Sequence, residues 1–133
     1  MKLTESKIKW IKNRVNYYCK LLEVEEPPLI LTRKDYEEMK AKRRAINQHY
    51  RGRNFSRFLG VCHGNVTYQG VNKDYVLVAL NVKKHYNLKQ LDETIRHELI
   101  HYSKPSYNHR SFIFYDRMYK LLKGRVNEQG RFN

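Results

Sequence analysis

The stretch Asn87–Tyr102, N-L-K-Q-L-D-E-T-I-R-H-E-L-I-H-Y, constrains this chain more than any other. Leu88, Leu91, Ile95, Leu99 and Tyr102 recur at helical spacing, and Asn87 with Gln90 supplies a capping-box start. At about 100° per helical residue, His97 and His101 lie roughly 40° apart and one turn removed, with Glu98 about 60° beyond His101. Three chemically active side chains therefore share a narrow arc beside one buried flank. Two neutral imidazoles one turn apart can grip a single zinc ion, and the carboxylate between them is placed to take a proton from water. The pattern, H-E-x-x-H, predicts a helix carrying a metal centre, with His97 and His101 as ligands and Glu98 as the catalytic base.

A catalytic zinc ion needs a third protein ligand. Downstream, Pro105 breaks the helix, and Asn108 or Ser106 can cap a new one in which Phe112, Met118, Leu121 and Leu122 face inward until Gly124. His109 stands at the start of that helix, where a short loop can bring its ring to the third coordination position; Asp116 and Glu128 are less well placed. Three histidines and no ligand carboxylate leave the ion its full double charge, which acidifies water. Glu98 can then take the proton and return it to a leaving amine. The expected cofactor is one zinc ion per chain. Tyr102, Tyr107 and Tyr115 are near enough in sequence to be considered for an oxyanion partner, although core packing is the commoner role of such tyrosines.

The 133 residues fit one compact domain, 1–133, large enough for a core without disulfides. No run of about 18 apolar residues occurs, so no membrane partner is expected. The opening M-K-L-T-E-S-K-I-K-W is charged where a signal peptide has its apolar core, which points to a cytoplasmic site of action, and the expected state is a monomer. Cys19 and Cys62 are far apart with no C-x-x-C spacing, against a zinc ribbon or a disulfide framework, and read as reduced, buried thiols. Their remoteness also argues against a structural zinc closed by a cysteine.

Charge is the second constraint. The 27 Lys and Arg outweigh 13 Asp and Glu for a net +14, which favours a polyanionic partner. Lys40, Lys42, Arg43, Arg44, Arg51, Arg53 and Arg57 are interleaved with Tyr50, Phe55 and Phe58, the composition of a groove for single-stranded DNA. The alternative is a solvated face whose aromatics turn inward to the core.

Along the rest of the chain, Thr4 can cap a helix to about Leu22, with Ile8, Ile11, Val15, Tyr18 and Leu22 on one face and Lys7, Lys9, Lys12, Arg14 and Lys20 on the other. Leu29–Leu31 is a short strand candidate. Thr32 and Asp35 open a polar helix to about Tyr50, anchored only by Tyr36, Met39, Ala45 and Ile46. Leu59–Tyr68 reads as a hairpin or bulged strand about Gly64 and Asn65, and Gly70–Asp74 as a turn. Tyr75–Asn81 reads as a strand that borders the cleft and can hold an extended substrate by main-chain hydrogen bonds. His63 and His85 are isolated, and a surface or hydrogen-bonding role is expected of each.

L-V-A-L-N at Leu77–Asn81, H-E-L-I-H at His97–His101 and N-H-R-S-F at Asn108–Phe112 together resemble the SprT-like, Spartan-type metallopeptidases, over roughly the C-terminal half. The YgjP-like zinc peptidases share a similar H-E-L-x-H followed by N-H-S. Arg110 departs from the SprT-like pattern, which usually has Gly after the third ligand, and the C-terminal zinc ribbon of that family is absent. The resemblance implies an α+β, zincin-like minimal domain, a small mixed β-sheet packed with the H-E-x-x-H helix and flanking helices. It implies a zinc-dependent peptidase with His97, His101 and His109 as ligands and Glu98 as general base, acting on proteins or peptides, including proteins bound or crosslinked to DNA. Two other classes stay open: a basic nucleic-acid-binding module with a structural zinc, and a metal-dependent hydrolase of non-peptide substrates.

Overall fold

Thr4 starts the first helix: its Oγ1 accepts from the Lys7 N–H at 3.3 Å, and α1 runs Glu5–Leu22. It stops at Glu23, which adopts the left-handed conformation at φ 57° so that the Glu23 and Val24 amides return to the Lys20 and Cys19 carbonyls. The computed structural model describes residues 1–46, 48–63, 66–67, 70–71, 77–103 and 116. The expected second helix with Asn108, His109 and Phe112 lies outside these residues, apart from Asp116, which is helical. After α1 come β1 (Leu29–Ile30), α2 (Arg33–Ile46), a 3-10 turn at Phe55–Arg57, β2 (Gly60–His63), β3 (Val66–Thr67), β4 (Gly70–Val71), β5 (Leu77–Leu80), a 3-10 turn at Val82–Lys84 and α3 (Leu88–Ser103). The described residues form a small mixed α+β domain of three helices and a three-stranded sheet.

The sheet order is β1-β5-β2. β1 runs parallel to β5 with Leu29 opposite Val78, and β2 runs antiparallel with Gly60 opposite Leu80 and His63 opposite Leu77. Strand β5 is therefore central and cannot border a cleft by a free edge, contrary to the sequence expectation; its four residues are all buried. A continuous apolar run is what a strand covered on both faces requires. Among the described residues β1 and β2 are the edge strands instead. The expected pairing within Leu59–Tyr68 also differs, because β2 pairs with β5 while β3 pairs with β4, so Gly70–Val71 is strand where a turn was expected.

Side chains alternate across β5 and give the sheet two packed faces. Val78 and Leu80 join Ile11, Val15 and Tyr18 of α1 and Leu91, Ile95 and Leu99 of α3. Leu77 and Ala79 join Val61, Tyr36, Phe55 and Phe58 on the α2 side. Helix α2 is held by one fully buried residue, Tyr36, with Met39 packed beside it. It ends at Ile46 rather than near Tyr50, and Ala45 and Ile46 are exposed rather than anchoring.

Arg14 was expected among the solvated lysines of α1 and is instead buried, one turn from Tyr18 and facing α3. Its Nε donates to Asp92 Oδ1 at 2.8 Å, and its Nη2 donates to the Tyr18 hydroxyl. That hydroxyl donates in turn to Asp92, at 2.7 Å from Oδ2. Arg96 Nε lies 3.1 Å from the same carboxylate, off the line of a hydrogen bond. One buried carboxylate thus faces two buried guanidiniums and fixes α1 against α3. No helix among the described residues is long and apolar enough to cross a membrane.

Candidate metal centre and active site

The capping residues set where α3 begins and hence where its ligands point. The Gln90 N–H donates to Asn87 Oδ1 at 2.9 Å, and the Gln90 side chain accepts from the Tyr86 N–H at 2.8 Å. Leu91, Ile95 and Leu99 turn into the core, which leaves His97 and His101 on the flank of the buried stripe, both partly exposed. Their Nε2 atoms stand 3.2 Å apart, with the ring planes at 70°. Two nitrogens bound tetrahedrally to one zinc ion at ~2.05 Å are separated by ~3.3 Å, so the pair fits two adjacent positions of a zinc coordination sphere. The same approach also fits a proton shared between two rings, and a metal and that proton would compete for one space.

Glu98 is 7% exposed and does not join the two nitrogens, its Oε1 being 4.0 Å from His97 Nε2. That separation suits a base beside the metal better than a ligand. Burial pushes its carboxyl up to about 7, against the pull of the Arg53 charge and of the Cys62 backbone N–H that donates to it. A carboxylate poised near neutral pH is suited to proton transfer. A cavity of about 440 Å³ opens in front of it, lined by Leu59, Gly60, Gln90, Glu93, Thr94, His97 and Glu98.

Gly60 makes the approach of β2 to α3 possible. A Cβ there would stand 2.7 Å from Thr94 Cγ2 and 3.1 Å from Glu98 Cγ. Thr94 cannot easily move away, because its hydroxyl is 2.8 Å from His85 Nε2 while His85 Nδ1 donates to the Asn81 carbonyl at 2.8 Å. Burial lowers the His85 pKa, and its Nε2 faces the Thr94 hydroxyl, which also reaches the Gln90 carbonyl at 3.2 Å. His85 thereby fastens the 3-10 turn after β5 to α3. His63 is likewise hydrogen-bonded, its Nε2 being 2.7 Å from the Tyr36 hydroxyl.

The structure brings His97, His101 and Glu98 together as the helical arc requires, and His109 lies outside the described residues. Among the described residues no group of three or more His, Cys, Asp or Glu side chains gathers at metal distance. Tyr102 packs partly against the core, and Tyr107 and Tyr115 fall outside the described residues. Of the aromatics in the basic stretch, Phe55 and Phe58 are buried around Tyr36, while Tyr50 is partly exposed. Several of its cations tie the segment together. Lys40 pairs with Glu37 at 3.0 Å, Arg43 lies over the Tyr50 ring at 5.6 Å, and Arg44 and Arg51 donate to the Tyr50 and Gln48 carbonyls. Lys42, Arg53 and Arg57 are exposed.

Sequence reasoning passed over Gly60, although a glycine at the head of a strand is a signal of close backbone approach. It also passed over Cys62, whose role comes from its backbone and leaves no mark in the residue type. Compared with models of protein families, with characterised proteins and with solved structures, the chain gives no match.

Proposed function

We propose that the protein is a zinc-dependent peptidase with a zincin-like, SprT-like core, in which His97 and His101 hold the metal together with His109 and Glu98 is the general base. The observation that carries this reading is the 3.2 Å approach of two imidazole nitrogens beside a buried, unligated carboxylate at the floor of an open cavity. A zinc ion held there supplies Lewis acidity, polarising a carbonyl oxygen and bringing the pKa of water toward neutrality.

The chain's own residues account for the rest. The Glu98 carboxylate accepts the proton of the attacking water and delivers it to the leaving amine, and the Cys62 N–H holds that carboxylate in place. A peptide rather than another electrophile is favoured by β2. The bond from the Asn81 N–H to the Leu59 carbonyl, 2.9 Å, sets the ladder alternation, so the main-chain groups of Gly60 and Cys62 face away from β5. The Cys62 N–H serves Glu98, and Gly60 is left at the cavity wall for an extended substrate. A structural zinc is not favoured, because the sequence offers no cysteine pair to close such a site.

The test is paired. Metal analysis of His97→Ala and His101→Ala is expected to show loss of the one zinc per chain. Glu98→Gln is expected to keep zinc and fold while losing at least ~100-fold in peptide hydrolysis. Unchanged zinc in His97→Ala removes the metal site, and full turnover by Glu98→Gln removes the base. The surplus of positive charge supports a second partner, DNA, preferentially single-stranded, which would recruit protein substrates through the exposed cations of the 40–57 stretch.

A further inference from the structure

Arg53 differs from the other cations of its stretch. Its backbone, not its side chain, is what the fold uses. The Arg53 N–H donates to the Tyr36 hydroxyl at 3.3 Å, and its carbonyl accepts from Lys40 Nζ at 3.0 Å. Gly52 turns the chain just before it with φ at 69°, where any Cβ would meet the Lys40 side chain at 2.6 Å. The Arg53 side chain is exposed, and no carboxylate is paired with it among the described residues.

Its place relative to the site follows from two independent lines. The first is the chain of contacts: the Tyr36 hydroxyl that receives the Arg53 N–H is 2.7 Å from His63 Nε2, and the Tyr36 and His63 rings stack at 5.7 Å. His63 ends β2, next to Cys62, whose N–H is bonded to Glu98. The second line is electrostatic. The Arg53 charge acts on His63 and Tyr36, which pack on the α2 side of the sheet beside β2, and β2 is an edge strand among the described residues.

We propose that Arg53 is a specificity-determining residue that binds the carboxylate of an aspartate or glutamate in a peptide lying along the free edge of β2, so that the enzyme prefers acidic peptides. This rests on the peptidase reading above. An exposed guanidinium can grip a carboxylate through two parallel N–H donors, and its planar fork loses less freedom per hydrogen bond than an ammonium does. The net charge of +14 also draws acidic segments to the molecule. A nucleic-acid backbone would need a row of available cations here, whereas Lys40, Arg43, Arg44 and Arg51 are engaged within the segment.

The experiment uses the full chain with zinc and sets of peptides identical except for one residue, Glu, Gln or Lys, walked through the positions flanking the cleaved bond. At one position Glu is expected to exceed Gln in kcat/KM by about tenfold, as for a charge-assisted pair. Arg53→Ala should reduce that ratio to about one, and Arg53→Glu should turn the preference toward Lys. Binding of the same peptides to Glu98→Gln, followed by fluorescence anisotropy, should show the same ratios without turnover. Cleavage with no preference for Glu, or a preference that survives in Arg53→Ala, overturns the role of Arg53 and leaves the peptidase reading standing. Binding of the Glu peptide through Arg53 with no cleavage by the parent overturns the peptidase reading and keeps the carboxylate site. Neither binding nor cleavage overturns both. If Arg53→Ala weakens single-stranded DNA binding and leaves peptide preference alone, Arg53 is a nucleic-acid contact and the proposal falls.

Discussion

Replacing Gly60 by Ala tests the contact on which the whole site depends. The added methyl would lie 2.7 Å from Thr94 Cγ2, 3.1 Å from Glu98 Cγ and 3.2 Å from Leu80 Cδ2. Ordinary carbon contacts are ~3.5–4.0 Å, so the first overlap is close to 1 Å deep. Relief by rotating Thr94 would break its bond to His85, and relief by moving β2 would draw the Cys62 N–H away from Glu98. Overpacking of this kind costs ~1–3 kcal/mol, partly offset by the smaller freedom of Ala in the unfolded chain. The expected net loss is ~1–2 kcal/mol, which lowers the melting temperature of a domain this size by ~4–8 °C. Turnover should fall by about tenfold or more, because the base is displaced. Circular dichroism melts and initial rates measure the two effects. Thr94→Ser in the same chain removes Cγ2 and keeps the hydroxyl for His85, so the double variant should recover most of both losses. A Gly60→Ala protein as stable and active as the parent, or a double variant that recovers nothing, refutes the close-approach argument.

Asp92→Ala should cost ~3–5 kcal/mol in chemical denaturation, since it leaves Arg14 and Arg96 buried with no counter-charge; a loss below 1 kcal/mol would show that the network is not needed. His63 supplies a pH dependence. Burial first, then the Arg43 and Arg53 charges, lower its pKa from 6.5 to about 4, so the unfolded chain takes up the proton more readily. Its contribution is complete above pH ~6.5 and is lost as pH falls toward 4, to the extent of ~3 kcal/mol. His63→Phe should therefore show a shallower fall in unfolding free energy between pH 7 and pH 4 than the parent, and equal slopes would remove His63 as the cause. For the polyanion reading, changing Lys42 and Arg57 to Gln should reduce the log–log salt slope of single-stranded DNA binding by about 1.4, at ~0.7 per phosphate contact. An unchanged slope would make these cations a solvated surface.

What the sequence determined by itself is local. Helix α1 starts at Thr4 and α3 starts after Asn87 because a capping side chain and an apolar period of 3.6 lie within a few residues of each other. The shared arc of His97, Glu98 and His101 is a property of helical geometry alone, and it needs no partner to exist. The sheet could not be read in the same way. A strand's neighbours lie far along the chain, so the apolar run at Leu77–Leu80 marks a strand without showing whether it takes the centre or the rim; its pairing with both β1 and β2 made it central and left the edges to those two strands. The burial of Arg14 had the same origin, since only the packing of α1 on α3 set Asp92 opposite it. Gly60 and Arg53 acquired their roles from contacts with Thr94 and Tyr36 across the fold. Periodicity reports which side of an element is buried, but the partner, the edge and the charge that faces the site are decided by distances between residues that the chain order does not contain.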